Sequence, residues 1–184
     1  GAEHWPFLVL GDACEGMSNP CVLDVKMGTR TFEPSAPPEK KLYELQKYPE
    51  QAITGFRFVG MKWEGVPCSG ADSVTLGKAW GLSLAAEDAG SGFVRFFDDG
   101  NRLRRGRVRS ALRQLRALLE IFRCQTAFHF YSTSLLLVYD AAPAGVAPKA
   151  AAAAVTGPGV EEAGSGCTYL AEGEAPALVV EDTG

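Results

Sequence analysis

Histidine is nearly missing from this chain, and cysteine is present without a pattern. Two histidines stand far apart, at positions 4 and 129 of 184, which speaks against a histidine-ligated metal site. Five cysteines (14, 21, 68, 124 and 167) are odd in number, scattered and without any C-x-x-C pair. That arrangement argues against a disulfide framework and a zinc site. It argues for a reducing compartment, so an intracellular protein of the cytoplasm or nucleus is expected. No run of 18 apolar residues and no signal-peptide pattern is found, and no membrane span is expected. Charge of one sign is also lacking. The net charge of −4 gives no global drive toward nucleic acid or an anionic membrane, and neither is expected as a partner. Nothing in the sequence fixes an oligomeric state.

What is present is ordinary globular material. Hydrophobic residues make up 46% and charged residues 22%, the balance of a soluble domain. The length suffices for one domain with a real core, or most of one. Trp5-Pro-Phe-Leu-Val-Leu10 follows closely on Gly1, an opening that reads as a cut inside a larger protein. Charge is unevenly placed, with eight arginines (102, 104, 105, 107, 109, 113, 116 and 123) within residues 102–123.

Along the chain, Phe7–Leu10 is an apolar run stopped by Gly11-Asp12, a strand entering a loop. After turn-rich residues 16–20 comes a strand over Cys21–Met27. Pro34-Ser-Ala-Pro-Pro38 predicts a helix start capped at Ser35 or Ala36, with prolines in the first turn and the helix running from about Pro38 to Tyr48. Residues 54–63 read as a strand, 77–81 as a loop or short turn, and 87–97 as a helix. From Val108 to Phe122 the apolar positions 108, 111, 112, 115, 118, 119 and 122 recur with a period near 3.6, an amphipathic helix. Arg109, Arg113 and Arg116 avoid that stripe and would form its wet face. The whole arginine cluster would alternatively attract a polyanion. Phe128–Tyr131 and Ser134–Asp140 predict two strands of a hairpin across Ser132-Thr133. The main domain would then occupy residues 1–140. Residues 141–166 shift to Ala, Gly and Pro, including Ala150–Ala154, the composition of a flexible insertion or linker. Within 167–184, Leu178-Val-Val180 is a candidate final strand.

The most informative stretch is Pro20-Cys-Val-Leu-Asp24-Val-Lys26-Met-Gly28, which reads P-x-x-x-D-x-K-x-G. In a strand, residues i and i+2 share a face, so Asp24 and Lys26 project together while Cys21, Leu23 and Val25 face the core. A carboxylate beside an ammonium suits a site that holds a metal-nucleotide and orients a phosphorylated substrate; the other reading is a buried ion pair. On the following helix, Lys40 and Lys47 are seven residues apart, about 700° of rotation, and so lie on nearly one face. They would bracket a polyphosphorylated ligand, or form a solvated face with Glu44 between them.

These segments resemble the inositol polyphosphate kinase family, over most of residues 7–140. Besides the P-x-x-x-D-x-K-x-G strand and the Glu39-Lys40 helix, Gly55-Phe-Arg57-Phe-Val-Gly60-Met61 resembles the family's G-F-R-x-x-G-M segment. Lys78-Ala-Trp-Gly81 is similar to its K-x-x-G turn, and Phe93–Asp98 to the segment that follows. Phe128-His-Phe-Tyr131 through Ser134-Leu-Leu to Tyr139-Asp140 resembles F-R-F-Y-S-S-S-L-L-x-x-Y-[DE], with His129 in place of arginine. The resemblance implies an α+β, two-lobed kinase-like fold, mostly its larger lobe, with the N-lobe largely missing. It implies ATP and Mg²⁺ as cofactors and transfer of the γ-phosphoryl group to an inositol polyphosphate. In that family Phe7–Leu10 would lead to a hinge at Leu10 and Asp12 that holds adenine through backbone groups. Asp24 would contact the nucleotide and Lys26 the substrate hydroxyl or the transferring phosphate. Lys40 and Lys47 would bind substrate phosphates, and Ser134 would sit near the nucleotide phosphates. Features of the multikinase and the hexakisphosphate kinase branches are mixed. Two family parts are not visible: the N-lobe lysine that holds ATP, and an I-D-F-x-H-type metal motif, for which Glu181 in Val179-Val-Glu-Asp182 is the nearest candidate. An inactive member that binds inositol phosphates as a scaffold is the alternative expectation.

Overall fold

A computed structural model describes residues 10–64, 73–142 and 177–179. Strand β1 (Pro20–Met27) lies at the centre of the sheet. It is followed by α1 (Pro38–Lys47), the short α2 (Gln51–Thr54), β2 (Phe56–Glu64) and β3 (Ser73–Leu76). Then come α3 (Lys78–Ser83), a 3₁₀ turn (Ala86–Asp88), α4 (Ala89–Phe97), α5 (Arg105–Cys124), β4 (Ser134–Asp140) and β5 (Ala177–Val179). The sheet order is β3-β2-β1-β4-β5. All neighbours are antiparallel except β4 and β5, which run parallel.

The alternation expected for β1 is the alternation observed. Cys21, Leu23 and Val25 are buried, and across the ladder Leu137 and Tyr139 of β4 and Phe58, Met61 and Trp63 of β2 join them in one core. Each such side chain contributes about 1.5–3 kcal/mol of transfer free energy. Helix α4 closes this core with Phe96 and Phe97; the Phe96 ring meets Tyr139 edge-on at 5.0 Å. A helix leaves its last four carbonyls without intrahelical partners. Here the Phe96 carbonyl accepts from Trp63 Nε1 at 3.3 Å and from Tyr139 Oη at 2.6 Å, which ties the end of α4 to both strands.

Residues 77–81 were expected as a loop or turn, but Lys78–Ser83 is helical. The Trp80 ring stacks on Phe58 at 5.3 Å, and Gly81 lies so close to β2 that a Cβ would run into the Phe58 carbonyl. Packing outweighs the roughly 1 kcal/mol that glycine costs a helix. The start of α1 also differs: its cap is Pro37 with Pro38 at the first helical position, and neither Ser35 nor Ala36 caps it.

The expected hairpin is not formed. Ser134–Asp140 is a strand, but residues 128–131 are not. Both edges of β1 are already taken by β2 and β4, and β4 pairs on its other edge with β5. The Phe128 backbone is instead satisfied by Gln125, whose side chain bonds both its N–H and its carbonyl at 3.0 Å. The segment leaves Phe128 64% and Phe130 51% exposed.

Helix α5 runs longer than its periodic core predicts. Its first half is packed through Arg107, Ser110 and Ala111, while Arg109, Arg113 and Arg116 are exposed, as expected of a wet face. No described helix is long and apolar enough to cross a membrane. The insertion expected over 141–166 and the strand expected over Phe7–Leu10 fall almost wholly outside the described residues; Leu10, which is described, is not in a strand. The final strand is observed as β5, one residue earlier than expected.

Candidate functional site

Opposite the core, the same alternation of β1 turns Asp24 and Lys26 to the second face of the sheet. Lys26 is paired across the ladder with Arg57 of β2 on one side and Ser134 of β4 on the other. Directly opposed residues of an antiparallel pair share a face, so Arg57, Lys26 and Ser134 form one row. Two residues back, Asp24 is flanked by Gly60 and Leu136. Between Asp24 and Val25 the register slips by one residue on β2, a bulge that re-aims the strand next to the charged row.

The end of β1 is held by backbone geometry. Gly28 has φ +96°, a conformation that suits glycine, and its N–H donates to the Gly55 carbonyl at 2.8 Å. Met27 N–H donates to the Thr133 carbonyl at 2.9 Å, and Lys26 Nζ donates to the Ser132 carbonyl at 2.6 Å. The residues expected to form a hairpin turn thus close the strand end and orient the Lys26 ammonium. Ser132 itself adopts φ 59°.

Lys26 sits in a field of four charged neighbours. Burial pushes its ammonium below the ordinary lysine range; Arg57 and Lys47 push the same way, while Asp24 and Glu44 oppose them. Asp24 Oδ1 is buried and has no hydrogen-bond partner among the described residues. A buried carboxylate oxygen left unsatisfied is costly in isolation, so it marks a place where a ligand group or ion would bind.

Helix α1 contributes Glu44 and Lys47. Lys47 Nζ lies 3.2 Å from Glu44, which also accepts from the buried Thr31 hydroxyl at 2.7 Å. Burial works against ionisation of Glu44, but the bonds from Thr31 and Lys47 prevail and hold its carboxyl below the usual range. Lys40 is exposed and makes no hydrogen bond or ion pair among the described residues. The pair of lysines read as one bracket is therefore split: Lys47 joins the Lys26 cluster and Lys40 stands in solvent.

Of the other expected residues, Ser134 lies in the charged row. Leu10 is 58% exposed, and Asp12 forms a surface turn, accepting from Cys14 N–H at 2.8 Å. Neither contacts the cluster. Glu181 lies outside the described residues.

Sequence reasoning gave no role to Arg57, Gln51 or Thr31. Arg57 is 7% exposed and donates from NH1 to Gln51 Oε1 at 2.7 Å. Gln51, 5% exposed, in turn donates from Nε2 to the Gly28 carbonyl at 2.8 Å. A signal for Arg57 was present: it is a charge within an apolar strand, the same anomaly that marks Asp24 and Lys26. Gln51 carried none.

A row of a half-buried Lys26 and a buried Arg57, a third cation on the adjoining helix and a carboxylate with one unbonded oxygen make an arrangement suited to an anion. Comparison with known proteins agrees with the sequence motifs around it. The inositol polyphosphate kinase family profile matches residues 7–168. Human inositol hexakisphosphate kinase 3 is 36% identical over 136 residues, 73% of this chain and 33% of that protein. Human inositol polyphosphate multikinase is 33% identical over 134 residues, 73% of this chain and 32% of its own length. The chain thus spans about a third of the curated relatives it matches. A crystal structure of an inositol phosphate multikinase from S. cerevisiae, in complex with ADP and Mn²⁺, superposes with TM-score 0.59 at 20% identity, over 70% of this chain and 57% of that one, and shares the fold. With its signature strand, its charged row and a matching profile over most of its length, this chain belongs to the inositol polyphosphate kinase family.

Proposed function

We propose that this protein is an ATP-dependent kinase that transfers the γ-phosphoryl group to a hydroxyl or phosphate of an inositol polyphosphate. The observation that carries this reading is the convergence of Asp24, Lys26, Arg57 and Lys47 on one face at the end of β1. Phosphoryl transfer asks little covalent chemistry of a protein; positioning and charge neutralisation do most of the work. Lys26, held by the Ser132 carbonyl, is placed to neutralise charge on the transferring phosphate or to orient the acceptor hydroxyl. Arg57 and Lys47 supply two more cations for a substrate dense in phosphate, and Ser134 is paired with Lys26 across the ladder and would face the nucleotide phosphates. Lys40 would reach outlying substrate phosphates from solvent, and Leu10 and Asp12 would offer backbone groups to the base.

Among the described residues no group of three His, Cys, Asp or Glu side chains could hold a metal alone. Mg²⁺ does not need one: it commonly takes one or two carboxylates and fills its octahedron with phosphate oxygens and water. The partnerless Asp24 Oδ1 fits that role, and Glu181 is the second candidate ligand. When bound, the ion would neutralise charge on the phosphates. The ADP and Mn²⁺ in the yeast relative support nucleotide and divalent-cation use. Cysteine usage supports an intracellular, cytoplasmic or nuclear setting.

The full-length protein, incubated with ATP, Mg²⁺ and inositol polyphosphates from tris- to hexakisphosphate, should yield more highly phosphorylated species on anion-exchange separation. Lys26→Ala should lower the rate by about 10²–10³ while the fold survives. Retention of more than about a tenth of the activity would remove Lys26 from the catalytic set. Tight binding without turnover in the wild type would mean that the site recognises inositol phosphates without acting on them.

A further inference from the structure

Gln51 is buried at a junction of three elements. Its N–H donates to the Tyr48 carbonyl at 3.1 Å, its carbonyl accepts from Gly55 N–H at 2.9 Å, and its side chain bridges the Gly28 carbonyl and the Arg57 guanidinium. One residue therefore joins the end of α1, through its backbone, to the glycine turn after the signature strand and the start of β2, through its side chain. The two halves of its side-chain amide are used in a fixed sense: the NH₂ donates to Gly28, which leaves only the oxygen to face the arginine.

Arg57 depends on that oxygen. NH1–Gln51 is its single side-chain hydrogen bond among the described residues, although the residue is 7% exposed and carries five N–H donors. It has no carboxylate partner there, which is unusual for a buried arginine. None of its nitrogens is both fully enclosed and unbonded, so the remaining donors keep some access to solvent, on a residue paired across the ladder with Lys26. A cation in no direct ion pair among the described residues, with Glu44 acting on it only from a distance, anchored by a neutral amide and left with donors to spare, is arranged to receive an anion.

We propose that Gln51 is a positioning residue that fixes the Arg57 guanidinium beside Lys26, so that both cations engage the phosphate-bearing substrate. The inference rests on the kinase reading and assigns to Gln51 the orientation of the substrate cation pair. A neutral amide suits the task better than a carboxylate. The acid introduced by Gln51→Glu would pair with Arg57 and neutralise it inside the protein. Gln51→Met keeps the length and volume of the side chain while removing both bonds. The released guanidinium is then free to leave the row, and the substrate loses an oriented partner.

The experiment is a double-mutant cycle in the full-length protein, with wild type, Gln51→Met, Arg57→Met and the double variant. The readouts are kcat, KM for the inositol polyphosphate turned over by the wild type, KM for ATP, and Tm. Gln51→Met should raise the substrate KM about tenfold, the size expected for losing one charge-assisted contact, and leave the KM for ATP within about twofold. In the Arg57→Met background the same substitution should leave the substrate KM unchanged, because its only route to the substrate is gone. Equal effects of Gln51→Met on substrate KM in both backgrounds, or a fall in Tm with no change in substrate KM, would overturn the proposal and make Gln51 a structural residue. If Arg57→Met raises the substrate KM and Gln51→Met does not, the proposal fails while the kinase reading stands. If the wild type turns over none of the substrates, the kinase reading fails and takes this role with it.

Discussion

At the scale of single residues, the site is a balance of charges around one ammonium. Burial, Arg57 and Lys47 all disfavour the charged form of Lys26, and Asp24 and Glu44 favour it, with the net result below the ordinary lysine value. Removing a cationic neighbour removes a downward push, so Lys26 should titrate at higher pH in Arg57→Met. Where substrate affinity depends on the Lys26 charge, the alkaline fall in affinity should move to higher pH in that variant. A pH series of substrate KM would test this, and an alkaline limb left in place would mean that Arg57 exerts no field on Lys26. Asp24 and Lys26 were legible in the sequence because strand parity alone puts them on one side. Arg57 was visible as an anomaly but not as a member of the site, since its membership depends on which strand lies beside β1.

At the scale of elements, the segments around β1 are held by specific contacts that periodicity does not reveal. Asp140, at the end of β4, accepts from Ser18, Asn19 and Ala142 N–H groups at 2.8, 2.9 and 2.8 Å and thereby pins the loop that feeds β1. Burial alone would raise its pKa, but these three bonds, aided by Arg107, set it below the ordinary aspartate value. A carboxyl depressed in the fold binds protons more readily when unfolded. Its stabilisation is therefore complete above the unfolded pKa, about 3.9, and is lost as pH falls through the lower folded value. Asp140→Ala should cost about 2 kcal/mol near neutrality and flatten the acid side of a Tm–pH curve below about pH 4, as measured by thermal melts. An unchanged acid limb would show that other carboxylates dominate it. Gly81→Ala tests the α3–β2 approach: the added methyl meets the Phe58 carbonyl, and a loss of about 1–3 kcal/mol is expected from denaturant midpoints. A neutral result would mean that α3 can shift away without cost.

At the scale of the whole molecule, net charge and local charge part company. The chain is acidic by four charges, yet it carries eight arginines between 102 and 123. Arg109, Arg113 and Arg116 are exposed on α5 and are absent from the field acting on Lys26. Beyond a Debye length of about 8 Å, exposed charges are largely screened at physiological salt. Replacing all three by glutamine should therefore change the substrate KM by less than about twofold at such ionic strength; a larger change would give α5 a part in capturing substrate. The sequence by itself determined the elements whose residues report their surroundings through spacing. The strict alternation of β1 sorted its core side chains from Asp24 and Lys26, and the 3.6-residue period of α5 separated Arg109, Arg113 and Arg116 from its apolar stripe, because each periodicity follows from backbone geometry alone. Only the tertiary structure decided what those elements meet. It denied residues 128–131 a hairpin pairing because β4 was already paired on both edges, by β1 and β5, and made 78–83 a helix because Trp80 had Phe58 to stack on. It joined Arg57 to Lys26 through the pairing of two strands separated by two helices. It recruited Gln51 through hydrogen bonds to groups as far off in the chain as Gly28. Such contacts form between residues distant in sequence, where spacing carries no information and only the closed fold brings the partners within reach.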